Sequence, residues 1–287
     1  MTMLTLLGYA SGLAANEHGS GDAPLYVQKH PEWLGEVAHD WDTIVTPEPH
    51  FATIGETVAD MCRRLANRAY ELTRERTPFI TIGGDHSCAI GTFSGVAAAL
   101  GSDNPLGLIW IDAHMDAHTP ETTKTGNLHG MPVAVLLGHG HPHLTRILTS
   151  FPKVLPEHLF LIGIRDYEAE EAALLQRLNV RVYGITEVKE RGMSAILQEV
   201  LRFFRQQAIP YGITIDMDGI DPVEAPGVST PVTGGIAAAD LLEALSYLAA
   251  YPPLAAELTE YNPHHDQQGK TGQLLGQLAQ VLVQVYS

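Results

Sequence analysis

Eight short segments of this 287-residue chain are apolar almost throughout, instead of alternating between apolar and polar residues. Continuous apolar runs of this length are typical of strands covered on both faces, as in the parallel sheets of α/β proteins. The pattern excludes a sheet with one face in water, where every second residue would be polar. The predicted strands are residues 4–9, 42–45, 78–84, 106–112, 159–165, 181–185, 211–218 and 253–260.

Longer segments with helical periodicity separate these strands. The alternation of strands and helices predicts a parallel sheet with helices packed on both faces. No internal repeat or linker-like segment interrupts the pattern, so we expect residues 1–287 to form a single domain. Residues 11–41 are rich in Gly, His and Pro and predict no clear element. The predicted helices are residues 54–76, 87–100, 127–137, 168–178, 193–207, 237–250 and 271–285.

The composition narrows the classes of function. Asp and Glu outnumber Lys and Arg by 33 to 17, a formal net charge of −16 that disfavours binding to nucleic acid through its phosphates. Cys62 and Cys88 are the only cysteines and provide no disulfide framework, as expected in a reducing compartment. No apolar run reaches the roughly 18 residues that a transmembrane helix needs. We therefore expect a cytoplasmic protein that binds neither nucleic acid nor membranes.

Acidic and imidazole side chains follow four of the predicted strands at the point where each strand ends. The carboxyl ends of parallel strands lie along one edge of a sheet, and ligands bind at that edge in open α/β sheets. We therefore expect these side chains to meet in one cleft. They are Asp85, His86, Asp112, Asp216, Asp218, Asp221 and Glu260.

The stretch IWIDAHMDAHTP places Asp112, His114 and Asp116 two residues apart, so their side chains point the same way while the chain stays extended. Carboxylates gathered in one cleft repel one another unless cations neutralise them. Four Asp with two His are too rich in oxygen for a structural zinc site and favour a pair of divalent ions, with Mn²⁺ the leading candidate. The candidate metal ligands are His86, Asp112, His114, Asp116, Asp216 and Asp218.

The stretches GGDHSCAIG, WIDAHMDAHTPETTKTGNLHG and IDMDGIDPVEAPGVSTPVTGG resemble the ureohydrolases, the family of arginase and agmatinase. The pattern looks more like arginase than agmatinase. The resemblance implies a three-layer α/β/α fold around an eight-stranded, mostly parallel sheet, and a homo-oligomer (trimer or hexamer). It also implies two Mn²⁺ ions per chain and hydrolysis of a guanidinium group to urea and an amine.

The same resemblance implies a role for each residue of the centre. A guanidinium carbon is a poor electrophile, so hydrolysis needs a strong nucleophile such as a metal-bridging hydroxide. Besides Asp116, the candidate catalytic residues are His129, which matches the proton-transfer position, and Glu260, which matches the carboxylate that pairs with the guanidinium. His86, Asp112, Asp116 and Asp216 would hold one ion, and Asp112, His114, Asp216 and Asp218 the other, with Asp112 and Asp216 bridging.

The substrate is predicted to be L-arginine, with agmatine or another guanidino compound as the alternative. Arginine carries an α-carboxylate and an α-ammonium, which arginases meet with polar residues after the metal loop and acids after a GxRD strand. This chain departs from the usual pattern with His118 for Asn, Thr125 for Ser and Glu168 for Asp. The candidate substrate-binding residues are His118, Thr123, Thr125, Asn127, Asp166, Glu168, Glu171 and Glu260.

A noncatalytic relative that keeps the fold for binding or regulation is the alternative from a different class of protein. Loss of a metal ligand would be its signature, and no ligand is lost. A metal phosphatase would need a phosphate-binding Arg/Lys cluster, which does not accompany the site. The histidine-rich stretches 138–143 and 262–266 are predicted to be surface loops, and Cys88 a buried helix residue rather than a nucleophile.

Overall fold

Eight parallel strands form one sheet in the computed structural model, which describes residues 4–286. The strands are β1 (Leu4–Tyr9), β2 (His39–Val45), β3 (Phe79–Gly83), β4 (Leu106–Ile111), β5 (Val154–Ile164), β6 (Arg181–Gly184), β7 (Tyr211–Asp216) and β8 (Ala255–Thr259). Their order across the sheet is β2-β1-β3-β8-β7-β4-β5-β6, and every neighbouring pair is parallel. The predicted fold class is confirmed.

Helices cover both faces of this sheet. Helices α2 to α6 contribute to the core on one face, and α1 and α7 to α10 contribute to the core on the other. The helices are α1 (Ala23–Lys29), α2 (Ile54–Glu75), α3 (Cys88–Leu100), α4 (Pro132–Leu136), α5 (Pro142–Thr145), α6 (Ala169–Leu178), α7 (Ile185–Arg191), α8 (Met193–Gln206), α9 (Ala238–Ser246) and α10 (Lys270–Val285).

The central strands are apolar almost throughout because both of their faces are buried. In β1 and β3, Leu6 and Ile80 join the core on one side of the sheet, whereas Leu7 and Phe79 join the core on the other. Every residue of the central strands β3, β8, β7 and β4 is buried. Successive side chains of a strand therefore point alternately into the two cores, and not alternately into a core and into water.

Helix α3 begins just after one of the candidate metal ligands, and its packing against α2 fixes its position. Thr53 begins α2 with a capping box that it forms with Glu56. The two helices approach so closely at Gly95 that a Cβ there would lie 2.3 Å from the carbonyl oxygen of Ala66. A residue with a side chain would push the helices apart and shift the start of α3.

Two predicted helices are shorter than expected. Of residues 127–137, only a 3₁₀ turn at Leu128–Gly130 and helix α4 form, because Pro132 has no amide hydrogen and is suited to the first turn of a helix rather than its interior. Residues 237–250 divide into α9 and a 3₁₀ turn at Tyr247–Ala250.

The sequence pattern also missed three short helices. Helices α1 and α7 have seven residues each and α5 has four, which is too short for a periodic apolar stripe to be recognised. Residues 138–143 and the histidines at 264 and 265 lie largely at the surface, and Cys88 is buried in α3. Within residues 4–286, no helix has both the length and the apolar character needed to cross a membrane.

Candidate metal centre and active site

The candidate site lies where four neighbouring strands end. Strands β3, β8, β7 and β4 are adjacent in this order, so their carboxyl ends form one continuous edge. Asp112 directly follows β4, Asp216 is the last residue of β7, and Glu260 directly follows β8. His86 lies in the turn between β3 and α3. The order of strands therefore brings together residues that are up to 174 positions apart in the chain.

The ring of His86 is the centre of the first cluster of candidate ligands. Its Nδ1 lies 3.2 Å from Oδ2 of Asp112, 3.2 Å from Oδ2 of Asp116 and 3.1 Å from Oδ2 of Asp216. All four side chains are buried, yet Nδ1 has no hydrogen-bond partner among the described residues. Buried polar atoms normally have a partner, so an unpaired ring nitrogen facing three carboxylates indicates a position for a cation.

The second cluster surrounds His114. Its Nδ1 lies 3.2 Å from Oδ2 of Asp218 and 3.5 Å from Oδ1 of Asp112. The potential ligand atoms of His86, Asp112 and Asp216 lie within 4.8 Å of one another, and so do those of Asp112, His114 and Asp218. Asp112 belongs to both groups and presents one carboxylate oxygen to each histidine, as expected of a ligand shared by two ions.

Backbone amides two residues further along the chain hold the carboxylates in place. The amide of His114 donates to Oδ1 of Asp112 at 2.7 Å, and the amide of Asp218 donates to Oδ1 of Asp216 at 2.8 Å. The Asp-x-His and Asp-x-Asp spacings therefore supply both the ligands and the groups that orient them. Nε1 of Trp110 donates to Oδ2 of Asp112 at 2.8 Å, which fixes the other end of the shared carboxylate.

The electrostatics of the centre favour bound cations. Burial and the charge of Asp112 raise the pKa of Asp116 to about 7. Burial and the charge of Asp218 raise the pKa of Asp216 well above its ordinary range. Divalent cations would reverse both effects, because they stabilise the ionised carboxylates. With an unpaired imidazole nitrogen and oxygen-rich donors, the residues fit a pair of divalent ions.

Glu260 connects the metal centre to the candidate proton donor. Its Oε1 accepts from the amide of His86 at 2.8 Å and lies 3.0 Å from Nδ1 of His129. Its Oε2 is buried and has no hydrogen-bond partner among the described residues. One carboxylate oxygen thus holds two neighbours in place, and the other is available for a ligand.

Two of the candidate residues have an unusual backbone conformation. Asp116 has φ 48° and Glu260 has φ 61°, in the left-handed region that residues other than glycine seldom adopt. Such strain is stored preferentially at functional sites, where the surrounding structure enforces it. Both residues lie at the same edge of the sheet, so the strain supports the identification of this edge as the site.

A cavity of about 380 Å³ opens above these residues. It includes most of the predicted site and adds residues that the sequence did not single out, namely Gly130, Tyr167 and Thr230. The lining consists of His114, Asp116, His118, Thr125, His129, Gly130, Asp166, Tyr167, Glu168, Glu171, Asp216, Asp218, Thr230 and Glu260.

The three polar residues predicted to meet a substrate carboxylate do not lie together in this cavity. Thr125 lines it, whereas Thr123 and Asn127 line a neighbouring cavity of about 630 Å³ that Thr125 also borders. The hydroxyl oxygen of Thr123 accepts from the amide of Gly126, and that of Thr125 accepts from the amide of Asn127. These hydroxyls therefore shape the loop, and their contact with a substrate stays a prediction.

The predicted acids at the mouth of the cavity have partners within the protein. Nε2 of His118 lies 2.8 Å from Oε2 of Glu168 and 3.5 Å from Oε2 of Glu171. Both oxygens of Glu171 accept from backbone amides, those of Ala117 and Glu168. Glu171 therefore joins the loop after β4 to the start of α6, whereas Asp166 is largely exposed and lies 3.7 Å from Nε2 of His114.

Sequence reasoning missed the buried polar residues that support the ligands. Thr214 lies 3.1 Å from Nε2 of His86 through its Oγ1, and Trp110 stacks on the same ring with the centroids 4.1 Å apart. A usable signal was present, because Thr214 and Trp110 each precede a candidate ligand by two residues in an apolar strand. Arg165 was also missed; its guanidinium donates to the carbonyl oxygens of Asp218 and Val232 and so holds the loop after β7.

The pair formed by His129 and Glu260 gives a prediction for the protein after its metals are removed by a chelator. Burial lowers the pKa of His129, but the hydrogen bond and charge of Glu260 outweigh it and raise the pKa to about 9. In the Glu260→Gln variant, we expect the pKa to fall toward or below the ordinary value of about 6.5. NMR titration of the imidazole resonances measures both values.

The sign of the stability effect follows from the same shift. The pKa of His129 is raised above its unfolded value, so the pair contributes stability that is fully present below about pH 6.5 and is lost as the pH rises through about 9. Urea unfolding of the metal-free protein at pH 6 and pH 10 should show this loss, and Glu260→Gln should reduce it. An equal pH dependence in both proteins would contradict the assigned pair.

Comparisons with known proteins agree with this geometry. A profile of the Arginase family matches residues 4–284. The arginase of Bacillus caldovelox is 40% identical over 218 residues, which are 75% of this chain and 72% of that protein. The structure of arginase from Bacillus subtilis subsp. subtilis str. 168 has a TM-score of 0.90 at 31% identity and covers 99% of this chain and 98% of that one. Entamoeba histolytica arginase in complex with L-ornithine has a TM-score of 0.89 at 26% identity, with 99% of both chains covered.

Proposed function

The chain belongs to the arginase family and is a hydrolase of the amidinohydrolase type, and from this we propose that it hydrolyses L-arginine to urea and ornithine at two Mn²⁺ ions. The observation that carries the proposal is the pair of His/Asp groups that share Asp112, beside the buried carboxylate of Glu260. The relative with bound L-ornithine supports the choice of substrate, because ornithine is what remains of arginine when urea is removed.

The metals would be held by the six residues that converge at the strand ends. When bound, a pair of divalent cations lowers the pKa of a shared water toward neutrality and so supplies a nucleophile for the guanidinium carbon. Carboxylate-rich donors with some imidazole suit Mn²⁺ better than a thiolate-preferring metal. The ligands are His86, Asp112, His114, Asp116, Asp216 and Asp218.

Glu260 is the proposed partner of the guanidinium group. Its Oε2 is buried and unpaired, while its Oε1 is occupied by two neighbours. The hydrogen bond and charge of His129 outweigh burial and lower the pKa of Glu260, which therefore stays ionised and able to accept from a cationic N–H. Charge-assisted hydrogen bonds of this kind are short and strong, so they would fix the guanidinium carbon above the metal centre.

His129 is the proposed proton donor to the leaving amine. Nδ1 is held by Glu260, whereas Nε2 makes no hydrogen bond to any residue between 4 and 286 and the side chain borders the cavity. Bound cations would bring the raised pKa of His129 back toward neutrality, where an imidazole transfers protons most effectively.

The amino-acid end of the substrate would lie at the mouth of the cavity. Asp166 and Glu168 line it and would attract an α-ammonium, whereas Thr125 and His118 can donate to an α-carboxylate. His118 and Glu168 contact each other, so the substrate's α-carboxylate and α-ammonium would have to share this contact or break it. Recognition of this end of the substrate therefore depends on several charged and polar contacts together.

We also expect a cytoplasmic homo-oligomer, either a trimer or a hexamer. The two buried, free thiols of Cys62 and Cys88 are typical of a protein from a reducing compartment. Light scattering on the purified protein would measure the number of chains.

Arginine should be preferred over agmatine by about ten- to hundredfold in kcat/KM. Agmatine lacks the carboxylate, and one lost hydrogen bond to a charged group costs roughly 1.5–3 kcal/mol, at about 1.4 kcal/mol per factor of ten. Urea release with added Mn²⁺, measured on arginine, agmatine and shorter guanidino acids, tests the function and the preference together. Equal or faster hydrolysis of agmatine would exclude the arginine assignment but not the ureohydrolase chemistry.

A further inference from the structure

A buried carboxylate that does not line the cavity is connected to the metal centre through a threonine hydroxyl. Glu257 is the middle residue of β8 and is completely buried among apolar strand residues. A carboxylate in such a place is costly unless hydrogen bonds compensate for its lost hydration. Its partners are two threonine hydroxyls, since Thr214 donates to Oε1 at 3.0 Å and Thr92 donates to Oε2 at 2.6 Å.

The hydrogen bond from Thr214 determines which way its hydroxyl points. A hydroxyl group has one hydrogen, and Thr214 donates its hydrogen to Oε1 of Glu257, so this hydrogen is not available to His86. Oγ1 of Thr214 also lies 3.1 Å from Nε2 of His86, and toward that nitrogen it can only accept. Nε2 of His86 must therefore carry the ring proton.

The consequence is that, in the neutral imidazole that binds a metal, Nδ1 of His86 keeps its lone pair. Nδ1 is the atom that faces the carboxylates of Asp112, Asp116 and Asp216 and has no hydrogen-bond partner among the described residues. A metal ligand must present an unprotonated nitrogen, and the hydrogen bond made by the other ring nitrogen sets the tautomer.

We propose that Glu257, acting through Thr214, is a positioning residue that holds His86 in the tautomer able to bind a metal ion. The proposal rests on the proposed metal-dependent function and adds a buried residue that does not line the cavity. Glu257 touches neither the substrate nor the expected ions, so its effect reaches them only through the imidazole of His86.

A purely structural role for Glu257 would give different results. Trp110 stacks on the ring of His86 with the planes 15° apart and so keeps the plane of the ring without help from Thr214. Loss of the Thr214 contact should then leave the fold intact and change only the protonation of the ring. Loss of this contact should lower the affinity for the metal ion. The thermal stability of the metal-free protein should change only as far as the packing of the substituted side chain changes.

The test compares Thr214→Val and Glu257→Gln with the unchanged full chain, each loaded with Mn²⁺ and dialysed against a graded series of chelator concentrations. Valine has nearly the shape of threonine but cannot accept from Nε2. The amide of glutamine can donate to Thr214 and so reverse the hydrogen-bond chain. We expect one of the two ions to bind about 10- to 100-fold more weakly in both variants, as for other residues that orient metal ligands.

Thr92→Val is the matched control. It removes the other hydrogen bond of Glu257 by the same substitution but leaves the path from Glu257 to His86 in place. It should bind both ions nearly as the unchanged chain does, even where its melting temperature falls. The proposal would be overturned if Thr214→Val and Thr92→Val weakened Mn²⁺ binding equally, or if Thr214→Val bound both ions as tightly as the unchanged chain. Substrate is absent throughout, so these outcomes are separate from failure of the proposed function, which would appear as no Mn²⁺ binding by the unchanged chain.

Discussion

Replacing Asp112 with alanine should remove both metal ions and reduce urea release to background. One oxygen of this carboxylate faces His86 and the other faces His114, so both candidate metal groups lose a ligand at once. In the proposed function, hydrolysis depends on a nucleophile that the two bound metal ions would supply. Metal analysis of the purified variant by mass spectrometry, together with a urea assay, measures both effects.

Variants at unshared ligands distinguish a bridging role from general damage to the centre. His86→Ala and Asp218→Ala each change one group, and each should weaken one ion preferentially. Asp166→Asn is the control, since this carboxylate lies 3.7 Å from His114 Nε2 but is not an expected ligand and should leave both ions bound. Full metal content in Asp112→Ala would exclude the shared role of this residue.

Replacing His129 with asparagine should lower kcat by roughly 10²–10⁴, the usual loss when a positioned acid or base is removed. The amide of asparagine can still donate to Glu260, so the loop keeps its anchor, but it cannot carry a proton at neutral pH. Metal content should stay unchanged, because His129 is outside both groups of metal ligands. Steady-state kinetics and metal analysis on the same preparation give the two values.

His143→Asn is a matched substitution at an exposed histidine and should leave kcat unchanged. The contrast between the two asparagine variants separates proton transfer from a general effect of losing an imidazole. Turnover of His129→Asn within a few-fold of the unchanged chain would show that another group protonates the leaving amine.

The role of residues 11–41 shows where local patterns stop being informative. This segment predicts no element, yet it helps to hold the candidate proton donor. The buried carboxylate of Asp85 accepts from the amide of Ala14, and the carbonyl oxygen of Ala14 accepts from the amide of His129. Burial and the charge of Glu260 raise the pKa of Asp85 to about 6. Glu260 in the candidate site therefore affects the carboxyl group that holds this segment in place. No short-range pattern indicates a contact between such distant segments.

The sequence by itself determined which residues stand at the ends of strands. The apolar run before Asp112, and the two-residue spacing from Asp112 to His114 and Asp116, are properties of about ten neighbouring residues. Backbone geometry converts the apolar run directly into strand β4. The strand ends at Ile111, so Asp112, His114 and Asp116 lie in the following loop, where Asp116 has φ 48° instead of an extended conformation. For the same reason, all eight strands were predictable, although β2 and β5 begin earlier than expected, at His39 and Val154.

Only the tertiary structure decided which strand ends are neighbours and what supports them. Placing β8 between β3 and β7 brings Glu260 to His86 and Glu257 to Thr214, across 174 and 43 positions of the chain. The tertiary structure also decided that Thr123 lies outside the cavity that Thr125 lines, although both residues belong to the same loop of the sequence. Strand order and loop direction follow from the packing of two cores on one sheet, which depends on the whole chain at once, so no local pattern contains them.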